Sequence, residues 1–479
     1  MAGGGAGMLS RARGAVAPAA LGRRAFGRAA AFALALALAL FGCRDRGPPP
    51  PEAKAAPGAR KRDAAAARAL HAEARALLER HLLEDGLAKL EDALAADPRH
   101  ADSRLLKAWV LWRVARLDEA AEILEALRRD LPSDPRVLRQ LALLLVDQAR
   151  FEEALSALDL LSPERVREDE RLSLARAEAL LGAGRIDDAA RAAAGILAED
   201  PWASKGYHLL SRIDLRRGLE AQALAWGERY RADEPLRDAE QAALAFERAG
   251  DRAAALEIRG RALRARGRWH EAMGLLNEAV RADPGYLPAY LELARLSSDI
   301  ERPDDAVRAL GTLPERPEVL GALGDAHLVA ERFEEAAAAY EKAGARDRAA
   351  RARELSLRGA PDDPLSAARR EARLAQRGEP LTRSAAVLLE LARRSALSGD
   401  RPRARALSLF AAQLAPKDAA GWLAVSELHD RPEDAFVRIG ALRKAQGLAG
   451  GEEGRRAAGE RLHLEWRRVG LEPVELSGR

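Results

Sequence analysis

Ala115-Arg116-Leu117-Asp118-Glu119-Ala120-Ala121 is the stretch on which the reading of this chain turns. It returns as Arg150-Phe151-Glu152-Glu153-Ala154 and as Arg185-Ile186-Asp187-Asp188-Ala189. Three more copies follow: Arg268-Trp269-His270-Glu271-Ala272, Arg302-Pro303-Asp304-Asp305-Ala306 and Arg332-Phe333-Glu334-Glu335-Ala336. Their leading arginines lie 34, 35, 83, 34 and 30 residues apart. A motif recurring near 34 residues marks an array of stacked supersecondary units. Each copy reads as the start of a unit's second helix. The bulky residue after Arg packs back across the turn, the acidic pair suits a helix N-terminus, and the alanine lets two helix backbones approach. Several units close on Asp-Pro, at Asp97-Pro98, Asp134-Pro135, Asp200-Pro201 and Asp283-Pro284, because proline cannot continue a helix.

The unit from Ala101 shows Ala108, Ala120, Leu124, Leu127 and Pro132, and that from Glu170 shows Ala177, Ala189, Ala193, Ile196 and Pro201. This pattern resembles the tetratricopeptide repeat, two antiparallel helices with small residues at the eighth and twentieth positions. The resemblance covers residues 67–345 and, more loosely, 385–440. It implies an all-α fold, a right-handed α-solenoid of helix-turn-helix units, and a protein-binding scaffold rather than an enzyme. Composition points to helix independently. Thr312 and Thr382 are the only threonines, and aromatic residues make up 4%, which leaves few β-formers.

The single cysteine, Cys43, directly follows the apolar run Ala29–Phe41 and Gly42. A membrane span needs about 20 residues, so this run is too short for one and suits the core of a secretory signal. Leu40-Phe41-Gly42-Cys43 resembles the bacterial lipobox, which implies removal of residues 1–42 and lipidation of Cys43. Arg23-Arg24-Ala25-Phe26 resembles the twin-arginine export pattern, and export by either the twin-arginine or the general route stays open. Residues 43–66, with Pro48-Pro49-Pro50-Pro51, read as a lipidated cysteine and an extended tether. The main array follows over 67–345, with an extra helix near 236–252. Then come an irregular helical connector over 346–384, two further units over 385–445, and a flexible break and terminal helix over 446–479 that caps the stack.

Formal net charge is +4, but the leader holds five arginines and no acid, so 73 basic residues face 74 acidic ones without it. That balance gives no reason to expect nucleic acid as a partner. One cysteine excludes an intramolecular disulfide and a cysteine zinc cluster. His270-Glu271 starts no His-Glu-x-x-His, since Gly274 stands at the last position. No phosphate loop or nucleophile elbow is present. The chain is therefore expected to carry no catalytic residues, metal, cofactor or small-molecule substrate.

What remains is a surface. In tetratricopeptide arrays the first helix of each unit lines a groove. Carried over by register, this places Trp109 and Trp112 there, three residues apart on one helix face. They either anchor a partner or pack against the next unit. The same register places Arg139, Arg171, Lys205, His208, Arg212, Arg216, Arg261 and Arg264 on or beside the inner face, together with Asp102, Asp147, Glu178, Asp299 and Asp325. The expected role is a lipoprotein scaffold, lipid-anchored through Cys43 on the periplasmic side of a membrane. It would hold other envelope proteins, or their peptide segments, during assembly of outer-membrane, pilus or secretion, or exopolysaccharide-export machinery. Arg44 after the cysteine favours the outer membrane by the familiar sorting rule. The alternative is binding or chaperoning of an anionic polysaccharide along a basic groove.

Overall fold

The computed structural model describes residues 63–471. Cys43, the leader and the tether up to residue 62 lie outside the described residues. Every regular element among those described is helical. α1 (Ala64–Glu79) pairs with α2 (Leu83–Ala96), α3 (Ala101–Arg113) with α4 (Leu117–Asp130), and α5 (Pro135–Asp147) with α6 (Phe151–Leu158). After the short α7 (Pro163–Glu168), α8 (Glu170–Gly182) pairs with α9 (Ile186–Glu199) and α10 (Ser204–Arg216) with α11 (Glu220–Ala232). α12 (Glu234–Arg248) is an additional helix on α13 (Arg252–Ala265), which also pairs with α14 (Trp269–Ala282). α15 (Leu287–Asp299) and α16 (Pro303–Leu310), then α17 (Pro317–Val329) and α18 (Phe333–Lys342), continue the stack into α19 (Arg346–Arg358), whereas α20 (Pro364–Gln376) packs on the helix that follows it. The C-terminal part comprises α21 (Ala385–Leu397), α22 (Arg401–Leu414), α23 (Ala419–Leu428), α24 (Ala435–Leu448) and α25 (Glu452–Arg468).

The recurring motif proves to be a turn as much as a helix start. The residue before each leading arginine is left-handed: Ala115 at φ +60°, Ala149 at +57°, Gly184 at +80°, Gly267 at +75°, and Glu301 and Glu331 at +58°. The arginine N–H then reaches back to close the first helix: Arg116 to Leu111 O (2.9 Å), Arg150 to Leu145 O (2.8 Å), Arg332 to His327 O (2.9 Å). This six-to-one bond satisfies an otherwise orphaned carbonyl. The guanidinium turns forward onto the acid three residues on, as in Arg116 to both Glu119 carboxylate oxygens (2.6 and 2.7 Å). Arg150–Glu153, Arg185–Asp188, Arg268–Glu271 and Arg302–Asp305 repeat it. The pair closes over the helix start side chain to side chain, and none of these arginine side chains caps a backbone N–H. A side chain at positive φ is strained, so Ala115→Gly and Ala149→Gly should each raise stability by about 0.5–1 kcal/mol. A thermal midpoint that stays put or falls in both variants would rule this out.

Between helices the small positions matter. Ala108, Ala120, Leu124 and Leu127 are fully buried. At Gly324 a Cβ would stand 2.5 Å from the Tyr340 ring, so only glycine admits that tyrosine, which is 2% exposed. The first helix begins at Ala64 rather than Ala67, because the Asp63 carboxylate accepts from the N–H groups of Ala65 and Ala66. Asp134-Pro135 also works differently from the other Asp-Pro pairs. Asp134 caps α5 and Pro135 is its first residue, whereas Asp97, Asp200 and Asp283 end their helices.

The larger departure from the sequence reading lies at the C-terminus. The expected flexible break narrows to residues 449–451, and α25 does not cap the end of a stack. Phe436, Ile439, Trp466 and Val469 join the same apolar core as Tyr207, Ile213 and Trp226. Arg217 donates to Gly470 O (3.0 Å), Gln222 to Arg468 O (3.2 Å) and Arg443 to Ala198 O (3.1 Å). A second contact joins Trp269, Leu296 and Ile300 to Leu388, Leu407 and Phe410. The C-terminal helices return to the middle of the array. Contacts between residues some 250 apart leave no trace in a 34-residue period.

Candidate functional site

The first helices of successive units are stitched side chain to side chain at the repeat spacing. Arg136 donates to Asp102 (2.8 Å), Trp112 Nε1 to Asp147 (2.7 Å) and Arg212 to Glu178 (3.2 Å). Arg216 donates to Leu181 O (2.9 Å) and Arg264 to Asp299 (2.8 Å). Each pair spans 34 or 35 residues, one unit. Arg139 reaches Asp169 (2.5 Å) in the same way. The acids that the register placed on this row are therefore the partners of its basic and aromatic residues, and Asp325 accepts from Tyr340 OH (2.7 Å).

These rungs change the charge of the row. Arg139, Arg212 and Arg264 meet carboxylates, and Arg261 lies 3.6 Å from Glu257 on its own helix. Arg171 and Lys205 are exposed, with no ion partner among the described residues. His208 packs its ring 4.9 Å from that of Tyr230. The residues share a row but do not form a free basic stripe.

The two tryptophans part ways. Trp112 is half-buried, packed against two core clusters and tied to the next unit through Asp147. Trp109 is 37% exposed, with the Arg113 guanidinium 5.9 Å from its ring. It lines an open cavity of about 640 Å³ with Leu78, Leu105, Leu106, His71 and Gln140. An exposed indole beside leucines, with polar groups at the edge, has the make-up of an interaction hot spot.

The seam between the middle and the C-terminal helices is the other feature with chemistry in it, and sequence reasoning missed it. His429 is buried there, its Nδ1 3.0 Å from Val425 O, and its own carbonyl accepts from Arg438 (2.7 Å). Burial lowers its pKa to about 4; Asp434 and the Val425 carbonyl oppose the shift, while Arg405 and Arg229 add to it. The folded pKa lies below the unfolded value near 6.5, so the unfolded chain binds more protons between them. Stability is then whole above pH 6.5 and falls as pH drops towards 4, by roughly 2 kcal/mol at pH 5 from this group. Urea midpoints at pH 7.5 and 5.0 should show that loss, and His429→Gln should remove most of it. An unchanged pH dependence in the variant would discount the histidine.

Tetratricopeptide-repeat models match residues 71–135, 106–164, 236–286 and 291–364, and a second such model matches 263–316. Comparison with curated proteins found no match. Solved structures similar to this chain include Naa15/Naa10 bound to HypK-THB, at 17% identity and a TM-score of 0.26, covering 86% of this chain and 69% of that one. The Cut9–Hcn1 hetero-tetramer of APC/C aligns at 16% identity and a TM-score of 0.26, over 84% and 91% of the two chains. A tetratricopeptide repeat protein from Parabacteroides merdae aligns at 13% identity and a TM-score of 0.21, over 61% and 99%. The stretch 165–235, which no repeat model matches, still folds as the paired α8–α9 and α10–α11.

Proposed function

We propose that this chain of tetratricopeptide repeats is a protein-binding scaffold held at the bacterial cell envelope by a lipid on Cys43. Its task is to bring partner proteins to an envelope assembly. The observation that carries the binding role is the Trp109 cavity. It is the one place where a predicted groove tryptophan is open to a partner, and it belongs to the first units after the tether. The anchoring rests on sequence: the chain's only cysteine closes its one long apolar run. No helix among the described residues is long and apolar enough to cross a membrane. Binding of an anionic polysaccharide has less support, because most of the arginines it would use already hold carboxylates.

In-cell crosslinking, purification from solubilised membranes and mass spectrometry test both parts, with Cys43→Ala as the unanchored control. Envelope proteins captured only with Cys43 intact are the expected result. The same captured set in both versions would refute the anchor, and no captured protein in either would refute the scaffold. For a partner so captured, Trp109→Ala should weaken binding by about 2 kcal/mol, near thirtyfold, while Trp112→Ala should lower stability instead. Unchanged affinity in Trp109→Ala would move the site elsewhere.

A further inference from the structure

His71 on α1 and His100 at the start of α3 converge on one hydroxyl. Ser103 Oγ lies 3.2 Å from His71 Nδ1 and 2.8 Å from His100 Nδ1, and Ser103 is fully buried. The two rings meet edge-on, 5.5 Å between centroids. The donors fix where the protons sit. Ser103 N–H donates to His100 Nδ1 (3.3 Å), which makes that imidazole the N-cap of α3 and requires its Nδ1 to be unprotonated. The hydroxyl faces the same nitrogen and donates to it as well. Its oxygen is then left to accept, so His71 Nδ1 carries the hydrogen. The hydrogen bonds run one way, from His71 Nδ1–H to Ser103 Oγ–H to His100 Nδ1.

Protonation of His100 breaks this order, because a proton at Nδ1 points at two groups that are themselves donors. Protonation of His71 at its other nitrogen leaves the order intact. Histidine is the side chain that gains charge in mild acid. The charged groups around the pair are largely committed elsewhere. Asp102 of α3 is held by Arg136 of α5 (2.8 Å), and Asp97, in the turn before His100, accepts from the Arg99 N–H (3.1 Å). Burial and then His100 hold the His71 pKa below its usual 6.5; Asp102 opposes this, and Arg75 on α1 adds to it. The unfolded chain therefore binds more protons as pH falls through 6.5. The group's contribution is whole above that value and is lost as pH falls towards the lowered one.

Among the described residues, His71–Ser103 is the one side-chain hydrogen bond between α1 and α3. Those two helices are also two walls of the Trp109 cavity, α1 through His71 and Leu78 and α3 through Leu105, Leu106 and Trp109. We propose that His71, Ser103 and His100 form a pH-sensitive clasp on this cavity. With both imidazoles neutral the clasp holds the two walls together; protonation of His100 releases α1 and the first turn of α3 and opens the cavity. As control over partner binding this rests on the Trp109 reading above, whereas the release itself does not.

Hydrogen exchange of the full chain, carrying Cys43→Ala, tests the clasp without a partner. Protection of α1 and of the first turn of α3 is corrected for the pH dependence of chemical exchange and set against α5–α6. It should fall roughly fivefold to tenfold between pH 7.5 and 5.5. His100→Asn keeps a cap that does not titrate, so its protection should be the same at both pH values. Acrylamide quenching of Trp109, read as the difference from Trp109→Phe, should rise at pH 5.5 in the parent chain and not in His100→Asn. Equal protection at the two pH values in the parent chain, or an undiminished loss in His100→Asn, would overturn the clasp. Lost protection with unchanged Trp109 quenching would overturn its hold on the cavity. Failure of the scaffold reading, seen as no captured partner, changes none of these readouts.

Discussion

Glu301→Gln is expected to lower stability by about 3–5 kcal/mol, because it leaves three half-buried arginines without the buried carboxylate that balances them. The Glu301 side chain is wholly buried. Its Oε1 accepts from Arg369 Nε and Arg403 Nη2, both at 2.6 Å, and its Oε2 from Arg373 Nη1 at 2.8 Å. These three arginines come from α20 and the start of α22, some 70 to 100 residues further along the chain. Burial disfavours the charged form of Arg403, and Glu301 is the largest influence opposing that. Arg373 keeps a second partner in Glu331 and Arg403 keeps Asp299 O, which holds the expected loss within that range. Glu301 also sits at φ +58°, so a comparison separates backbone from charge. Glu301→Gly relieves the left-handed strain and should be less damaging than Glu301→Ala by about 1 kcal/mol. Repeat arrays unfold in parts, so the readout is hydrogen exchange. Protection should fall across α20–α22 while α3–α6 keep theirs. A change of less than about 1 kcal/mol in that region would mean that the cluster is not what holds it.

Glu301 shows where the sequence was legible and where it was not. As the residue before Arg302 in a repeated motif, it marks a unit boundary, and the all-helical array follows from that motif alone. Ala108, Ala120 and Ala189 are buried because two helices must approach there, a local demand that spacing reveals. The rungs were half legible. Register placed Asp102, Asp147, Glu178 and Asp299 on the same row as Trp112, Arg212 and Arg264, but not that they would pair across one unit, which depends on how far each unit rotates on the last. The left-handed turn was hidden because alanine, glutamate and glycine all occupy it. Capture of Arg369, Arg373 and Arg403 by one carboxylate was hidden altogether. Any exposed-looking glutamate in an arginine-rich chain reads as surface until the path of the chain brings the arginines to it. The Arg229–Arg405 seam has the same cause.

Phe436→Ala is expected to cost a further 3–5 kcal/mol or so at the second point of attachment. Phe436 is fully buried, with ring centroids 5.4 Å from Trp226, 6.1 Å from Tyr207 and 6.2 Å from Trp466. Those partners come from α10, α11 and α25, so one side chain joins the middle of the array to the last two helices of the returning segment. Removing it should raise hydrogen exchange across α24 and α25 and leave α20–α22, held through Glu301, protected. The double variant is the informative one. With either anchor intact, the other region stays at a high effective concentration beside its docking face and rebinds. Each single variant should therefore loosen its own region without releasing the segment. With both anchors broken, α20–α25 should separate from α9–α16 together, with exchange across the whole segment exceeding the sum of the two single effects. If the double variant merely adds the two local effects, the anchors act independently, and the C-terminal helices are two docked pieces rather than one returning arm.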